Sequence, residues 1–170
     1  MPIVQATTQD IPALEGLLNN AYRGDDSKQG WTTEADLLEG DLRTDATILQ
    51  QLMQTPGAVF LKYVDDDNSV KGCVFLHKKE DKLYLGMLSV SPRMQATGIG
   101  KQLMAEAERF AKGKDCSSIF MKVIGIRHEL VAWYERKGYS KTGETEPFPI
   151  DNRFGKPTQP LEFIIMEKKL

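Results

Sequence analysis

The sequence predicts a mixed α/β fold, a sheet of about six to seven strands flanked by about four helices, on three observations. Three β-rich runs, 58–64, 70–77 and 83–90, follow one another with only short polar turns between them. At Gly98 the apolar period changes from that of a strand to that of a helix, and from there strand and helix signals alternate to the end. The chain has 170 residues, 41% hydrophobic and 27% charged, which suits one domain with its own core, so a single domain over 1–170 is expected.

Taken in order, Ile3 to Ala6 is a short extended run, and Asp10 stands as a candidate cap before Ile11, Leu14, Leu18 and Ala21 on one helical face. Residues 24–30 read as loop. Thr33 to Asp36 has the form of a helix start, with Leu37 and Leu38 next, and Thr47 supplies a second start before Ile48, Leu49, Leu52 and Met53. Helix is therefore expected across this region, broken near 40–45. The cluster Asp65-Asp66-Asp67-Asn68-Ser69 and the turn Glu80 to Lys82 join the three β-rich runs into an antiparallel meander. Beyond Gly98, Ile99, Leu103, Ala107 and Phe110 trace one helical face and Lys101, Glu106, Glu108 and Lys112 the other, with Gly113 as the stop. Ser118 to Ile124 is a strand, Arg127 to Lys137 a helix ended by Gly138, and Tyr139 begins extended chain. Residues 146–160 hold four of the eight prolines and read as a long loop before a last strand from Leu161 to Met166.

Composition narrows the function. Lys plus Arg total 22 against 24 Asp plus Glu, so there is no overall positive field for a nucleic acid, and no such partner is expected. No apolar run approaches the roughly 20 residues of a membrane span, and the first residues lack a secretory pattern, so a cytoplasmic protein without a membrane partner is expected. Cys73 and Cys116 lie far apart without a Cys-x-x-Cys pair and with only His77 and His128 as further soft ligands, so they read as packing residues and no metal is expected.

The most informative segment runs from Leu88 to Gly100, out of a buried strand, through a polar turn, and into an amphipathic helix. The first amides of a helix have no partner within it, and the helix dipole adds partial positive charge there, so a phosphate can be held by backbone N–H groups alone. Gly98 and Gly100 permit close approach, and Lys101 or Arg93 adds charge. The dinucleotide fingerprint fails because Leu103 stands where a third glycine belongs. The Walker pattern fails because Gln102 follows Lys101.

Gln95-x-x-Gly98-x-Gly100, preceded by Leu88-x-Val90-x-Pro92, resembles the signature of the GNAT acetyltransferases. The resemblance implies a mostly antiparallel sheet with a V-shaped splay and acetyl-coenzyme A as cosubstrate. It assigns the pyrophosphate to Gln95, Ala96, Thr97, Gly98, Ile99, Gly100 and Lys101, and the pantetheine arm to Leu88, Ser89 and Val90. Trp133-Tyr134 followed by Gly138-Tyr139 looks like the family's second hallmark and puts Tyr134 where a tyrosine faces the coenzyme sulfur. Acyl transfer needs a proton for the departing thiolate, and a phenol with a pKa near 10 remains protonated to supply it. Arg127 replaces the asparagine that the family often has, and the strand 83–90 lacks the glutamate that many members use as base. Glu34, Asp36 or a chain of waters stays open for that role.

By the same resemblance, the acceptor site is expected from the first two helices with their connection, through Tyr22, Arg23, Trp31 and Glu34, and from the last long loop, through Phe148, Arg153 and Phe154. The expected reaction is N-acetylation of a primary amine, on a small amino-acid-like molecule or a peptide, by a monomer or homodimer. A non-catalytic acyl-coenzyme A sensor is the alternative, admitted by the missing strand carboxylate and opposed by Tyr134.

Overall fold

The computed structural model describes residues 2–22, 38–39, 44–94, 97–148 and 156–170. Seven strands form one sheet in the order β1-β3-β4-β5-β6-β9-β7. They are β1 (Ile3–Gln5), β3 (Ala58–Val64), β4 (Val70–Lys79), β5 (Lys82–Val90), β6 (Ser118–Ile124), β7 (Ser140–Pro147) and β9 (Glu162–Lys169). All neighbours are antiparallel except β5 and β6. That parallel pair requires a crossover, which α3 (Ile99–Gly113) supplies. The other helices are α1 (Ile11–Tyr22), α2 (Ala46–Met53) and α4 (His128–Arg136). The fold class expected from the sequence is thus the one observed.

The two faces of the sheet carry separate cores. On one, Leu14, Leu17 and Leu18 of α1 and Leu49 of α2 pack with Phe60, Cys73 and Phe75. On the other, Leu103, Met104 and Ala107 of α3 and Leu130, Val131 and Tyr134 of α4 pack with Val74, Leu76, Leu83, Leu85, Ile119, Met121 and Val123. The strict alternation of Ile119, Met121 and Val123 with Phe120 and Lys122 places the latter two on the α1/α2 side.

Four local expectations are corrected. Leu38 is not helical: Leu38–Glu39 form β2, paired with β8 (Lys156–Pro157) in a separate two-stranded ladder, a long-range pairing that no local propensity encodes. The loop predicted over 146–160 accordingly contains β8, and its first two residues extend β7. Helix α2 starts one residue before Thr47, with Asp45 as its cap, accepting 2.9 Å from the Ile48 N–H. Asp10 does not cap α1 directly. It closes a 3-10 turn from Thr8, its carboxylate accepting from the Thr7 N–H at 2.8 Å. The helix start expected at 33–36 lies outside the described residues. Asn19 ties the ends of the α1–α2 connection together, accepting from the Thr44 N–H at 3.0 Å and donating to its carbonyl at 3.2 Å. Among the described residues no helix is long and apolar enough to cross a membrane.

Candidate active site

Strands β5 and β6 pair over three positions, Lys82↔Ser118, Leu83↔Ile119 and Tyr84↔Phe120. Past Tyr84 and Phe120 they part. β5 continues to Val90 against β4, and β6 continues to Ile124 against β9, so a wedge opens in the middle of the sheet. At the wide end β5 passes into a 3-10 turn, Pro92–Met94, and then α3.

A bulge bends β5 on its way into the wedge. Cys73 pairs with Ser89 and Phe75 with Gly86, so Met87 and Leu88 together oppose the single residue Val74. Met87 takes a φ of 52°, a left-handed conformation that costs a side-chain-bearing residue energy. Two donors hold its carbonyl in place: the Ser89 hydroxyl at 3.2 Å and the Cys73 thiol at 3.6 Å. Burial pushes that thiol up to about 12 and keeps it protonated as a donor. Leu88, Ser89 and Val90, expected to hold the pantetheine arm, are all buried.

The α3 N-terminus is set by two glycines. Gly98 occupies the cap position at φ 88°, where a side chain would be strained, although the space around it is open. Gln102 reaches back along the helix, donating to the Gly98 carbonyl at 3.0 Å, and the Thr97 N–H donates to the Met94 carbonyl at 3.4 Å, so the first-turn amides from Ile99 to Lys101 are the ones the helix itself does not pair. Ile99 and Gly100 are buried, Thr97 and Lys101 exposed. Gln95 and Ala96 lie outside the described residues. Gly72 on β4 is the second glycine, missed in the sequence reading. A Cβ there would stand 2.9 Å from Ile99 and 3.0 Å from Leu103, so the first turns of α3 rest directly on the β4 backbone. Its signal was a glycine inside an apolar strand, which marks close approach of another element.

Tyr134 lies on α4 and is buried, 6% exposed, in the core that also contains Leu88 and Val90. Its ring meets Trp133 and Tyr139 edge-on at 5.2 and 6.1 Å. The helix ends two residues after it, at Arg136. The Lys137 and Tyr139 N–H groups both donate to the Tyr134 carbonyl, and Gly138 takes the left-handed C-terminal position at φ 97°. Tyr134 is thereby held by a rigid stop on its own backbone. Arg127 is half-buried at the start of α4, and its carbonyl accepts from the Val131 N–H.

Of the expected acceptor residues, Phe148 is half-buried against Phe163 at 5.1 Å, and Tyr22 is the last residue of α1. Arg23, Trp31, Glu34, Arg153 and Phe154 lie outside the described residues, as does Asp36. The β2–β8 ladder nonetheless joins the two connections that carry them, one from the α1–α2 segment and one from the β7–β9 segment. The structure adds residues that the sequence reading missed. Tyr84, Phe120 and Lys122 line the α1/α2 side of the sheet at the narrow end of the wedge, with Tyr84 and Phe120 rings 5.4 Å apart. Lys122 Nζ lies 6.0 Å from the Tyr84 ring and 2.9 Å from the Glu146 carboxylate on β7. Among the described residues no group of His, Cys, Asp and Glu is arranged to hold a metal.

This architecture, a splayed parallel pair with a glycine-capped helix at its wide end and a tyrosine buried in the core below it, defines a class of protein. The acetyltransferase (GNAT) family model matches residues 19–139, and the chain belongs to that family. An acetyltransferase of Agrobacterium fabrum is 32% identical over 83 residues, 49% of this chain and 59% of that protein, so the match spans little more than half of the relative's length. A ribosomal-protein-alanine N-acetyltransferase from Brucella melitensis has the same fold, with a TM-score of 0.73 at 20% identity over the whole of both chains. The PaiA N-acetyltransferase of Thermoplasma acidophilum, solved in complex with coenzyme A, matches at a TM-score of 0.69 and 18% identity over 99% of this chain and 98% of its own.

Proposed function

We propose that this chain is a single-domain, cytoplasmic N-acetyltransferase that moves the acetyl group of acetyl-coenzyme A to a primary amine on a small amino-acid-like molecule or a peptide. The observation that carries the reading is the wedge between β5 and β6, with the donor end of α3 at its wide end and Tyr134 in the core beside it. The relative solved with coenzyme A supports a coenzyme A cosubstrate here.

In this reading the backbone amides of Gln95 to Lys101 hold the pyrophosphate, and Leu88, Ser89 and Val90 hold the pantetheine arm. The bulge at Met87–Leu88 turns the β5 backbone so that an amide near Leu88 meets the oxyanion of the tetrahedral intermediate. The neutral amine nitrogen attacks the thioester carbonyl carbon, the C–N bond forms, the C–S bond breaks, Tyr134 gives its proton to the departing thiolate, and the proton shed by the acylated nitrogen restores the phenol. A thiolate drawn out of water into a buried site is a stronger base than it is in solvent, so a phenol protonates it effectively.

The test is release of free thiol from acetyl-coenzyme A across a broad panel of amines, with native protein and Tyr134→Phe. The variant should retain coenzyme affinity and lose about a hundredfold or more in kcat, the range of general acid catalysis. Unchanged turnover would remove Tyr134 from the chemistry. Binding of coenzyme A without turnover of any amine would remove the enzymatic reading.

A further inference from the structure

We infer that Tyr84, Lys122 and Glu146 form a charge clamp that selects an acceptor carrying a carboxylate next to its amine, a small zwitterionic α-amino acid. The inference rests on the acetyltransferase reading above and narrows its acceptor. Continuing the register of the last three β5–β6 pairs sets Lys122 opposite Gly86, two residues beyond the point where the strands part. At Gly86 a Cβ would meet the Tyr84 hydroxyl at 2.8 Å and its ring at 2.9 Å. The Tyr84 ring therefore lies down along β5 and brings its hydroxyl over Gly86, toward the wedge. Glycine at 86 is the condition for that posture, because any side chain would displace the ring. The Lys122 ammonium stands 6.0 Å from this ring on the same side of the sheet.

The partner of Lys122 is unusual for a structural ion pair. In the sheet order β6-β9-β7, Glu146 lies two strands away, and the 2.9 Å contact reaches across β9, where Ile165 pairs with Lys122 and Phe163 with Glu146. Both side chains remain partly exposed, 32% for Lys122 and 47% for Glu146. A pair this exposed stabilises the fold by little, so a ligand can open it at small cost. What it provides is a cation and an anion side by side over the apolar side chains of β9, with the cation next to the wedge, and that arrangement complements an ammonium and a carboxylate on adjacent carbons. Lys122 and the Tyr84 hydroxyl take the carboxylate, and Glu146 takes the ammonium. One ammonium proton passes to the Glu146 carboxylate, which frees the nitrogen lone pair for attack on the thioester. Tyr134 protonates the departing thiolate, the second proton shed by the acylated nitrogen restores the Tyr134 phenol, and Glu146 returns its proton to solvent. This provides a carboxylate for a family member whose β5 carries none.

The test compares kcat/KM for the proteinogenic amino acids, their carboxamides and their decarboxylated amines, together with short peptides carrying the same first residue. Native protein should prefer at least one free amino acid over its carboxamide by about tenfold or more. Lys122→Met should erase that preference through KM, and Lys122→Arg should preserve it. Glu146→Gln should lower kcat more than it raises KM. Equal turnover of acid and carboxamide, or turnover of peptides but of no amino acid, overturns the clamp while leaving the transferase reading intact. Turnover confined to amines outside this set does the same. Coenzyme binding with no turnover on the broader amine panel overturns the transferase reading itself.

Discussion

Replacing Gly72 by alanine tests whether α3 is positioned by its seat on β4. The added methyl would lie 2.9 Å from the Ile99 side chain, 3.0 Å from Leu103 and 3.1 Å from the Ser89 carbonyl. Non-bonded carbons prefer about 3.5 to 4.0 Å, so the first turn of α3 must lift by roughly 0.5 to 1 Å, or the β4–β5 ladder must shift by as much. Overpacking of this kind costs about 1 to 3 kcal/mol, offset by about 0.5 to 1 kcal/mol from the lower chain entropy of alanine. The net loss of about 1 to 2 kcal/mol corresponds to a fall in Tm of roughly 2 to 8 °C for a protein of this size. Because the same turn presents the donor amides, coenzyme A affinity measured by titration calorimetry should fall by about tenfold, the equivalent of one well-placed hydrogen bond. Gly16→Ala is the control. Gly16 lies within α1, a Cβ there meets nothing within 4 Å, and the exchange should raise stability by up to about 1 kcal/mol with no change in coenzyme affinity. If Gly72→Ala binds coenzyme A as tightly as the native chain, the seating argument is wrong, whatever happens to the Tm.

Four further outcomes follow from the core and the caps. Tyr139 is 2% exposed, and its hydroxyl has no hydrogen-bond partner among the described residues. Tyr139→Phe should therefore be neutral or stabilising by about 1 kcal/mol in urea denaturation. Burial, with Glu108 nearby, raises the ionisation of Tyr139 well above the ordinary phenol value of 10.0. The unfolded chain thus loses this proton first, and the native protein should lose stability as pH climbs above 10, a slope that the phenylalanine variant reduces. Cys73 behaves in the same direction. Its thiol, fully buried and pushed up from 9.0 to about 12, should resist alkylation in the native state at pH 8 and react on unfolding, as mass spectrometry of labelled peptides would register. Asp45→Ala removes the cap of the eight-residue helix α2 and should cost about 1 kcal/mol, whereas Thr47→Ala should cost much less.

Much of the fold was written locally. The turn residues between 65 and 69, the change of period at Gly98, and the glycine after α4 act within a few residues of themselves, so strands β3 to β5 and helices α3 and α4 could be read from the chain alone, whereas Gly113 proved to be the last residue of α3 and Asp115 takes the left-handed position beyond it. The family pattern from Leu88 to Gly100 and at Tyr134 was legible for the same reason. A helix N-terminus that binds an anion is built from consecutive backbone amides, and its sequence requirements are contiguous. Other features are decided by residues far apart. Leu38 becomes strand because Pro157 pairs with it, Gly72 is required because α3 lands on it, and Gly86 because the Tyr84 ring folds back over it. The wedge itself appears in no segment. It arises where two strands joined by a crossover helix keep three pairs and are then drawn apart, one by β4 and its bulge, the other by β9. The sequence by itself therefore determined the glycine-capped start of α3, because short-range backbone geometry suffices for it. Only the tertiary structure brought Lys122 and Glu146 together across an intervening strand, because the positions of charges on a sheet face depend on strand order, which local sequence does not carry.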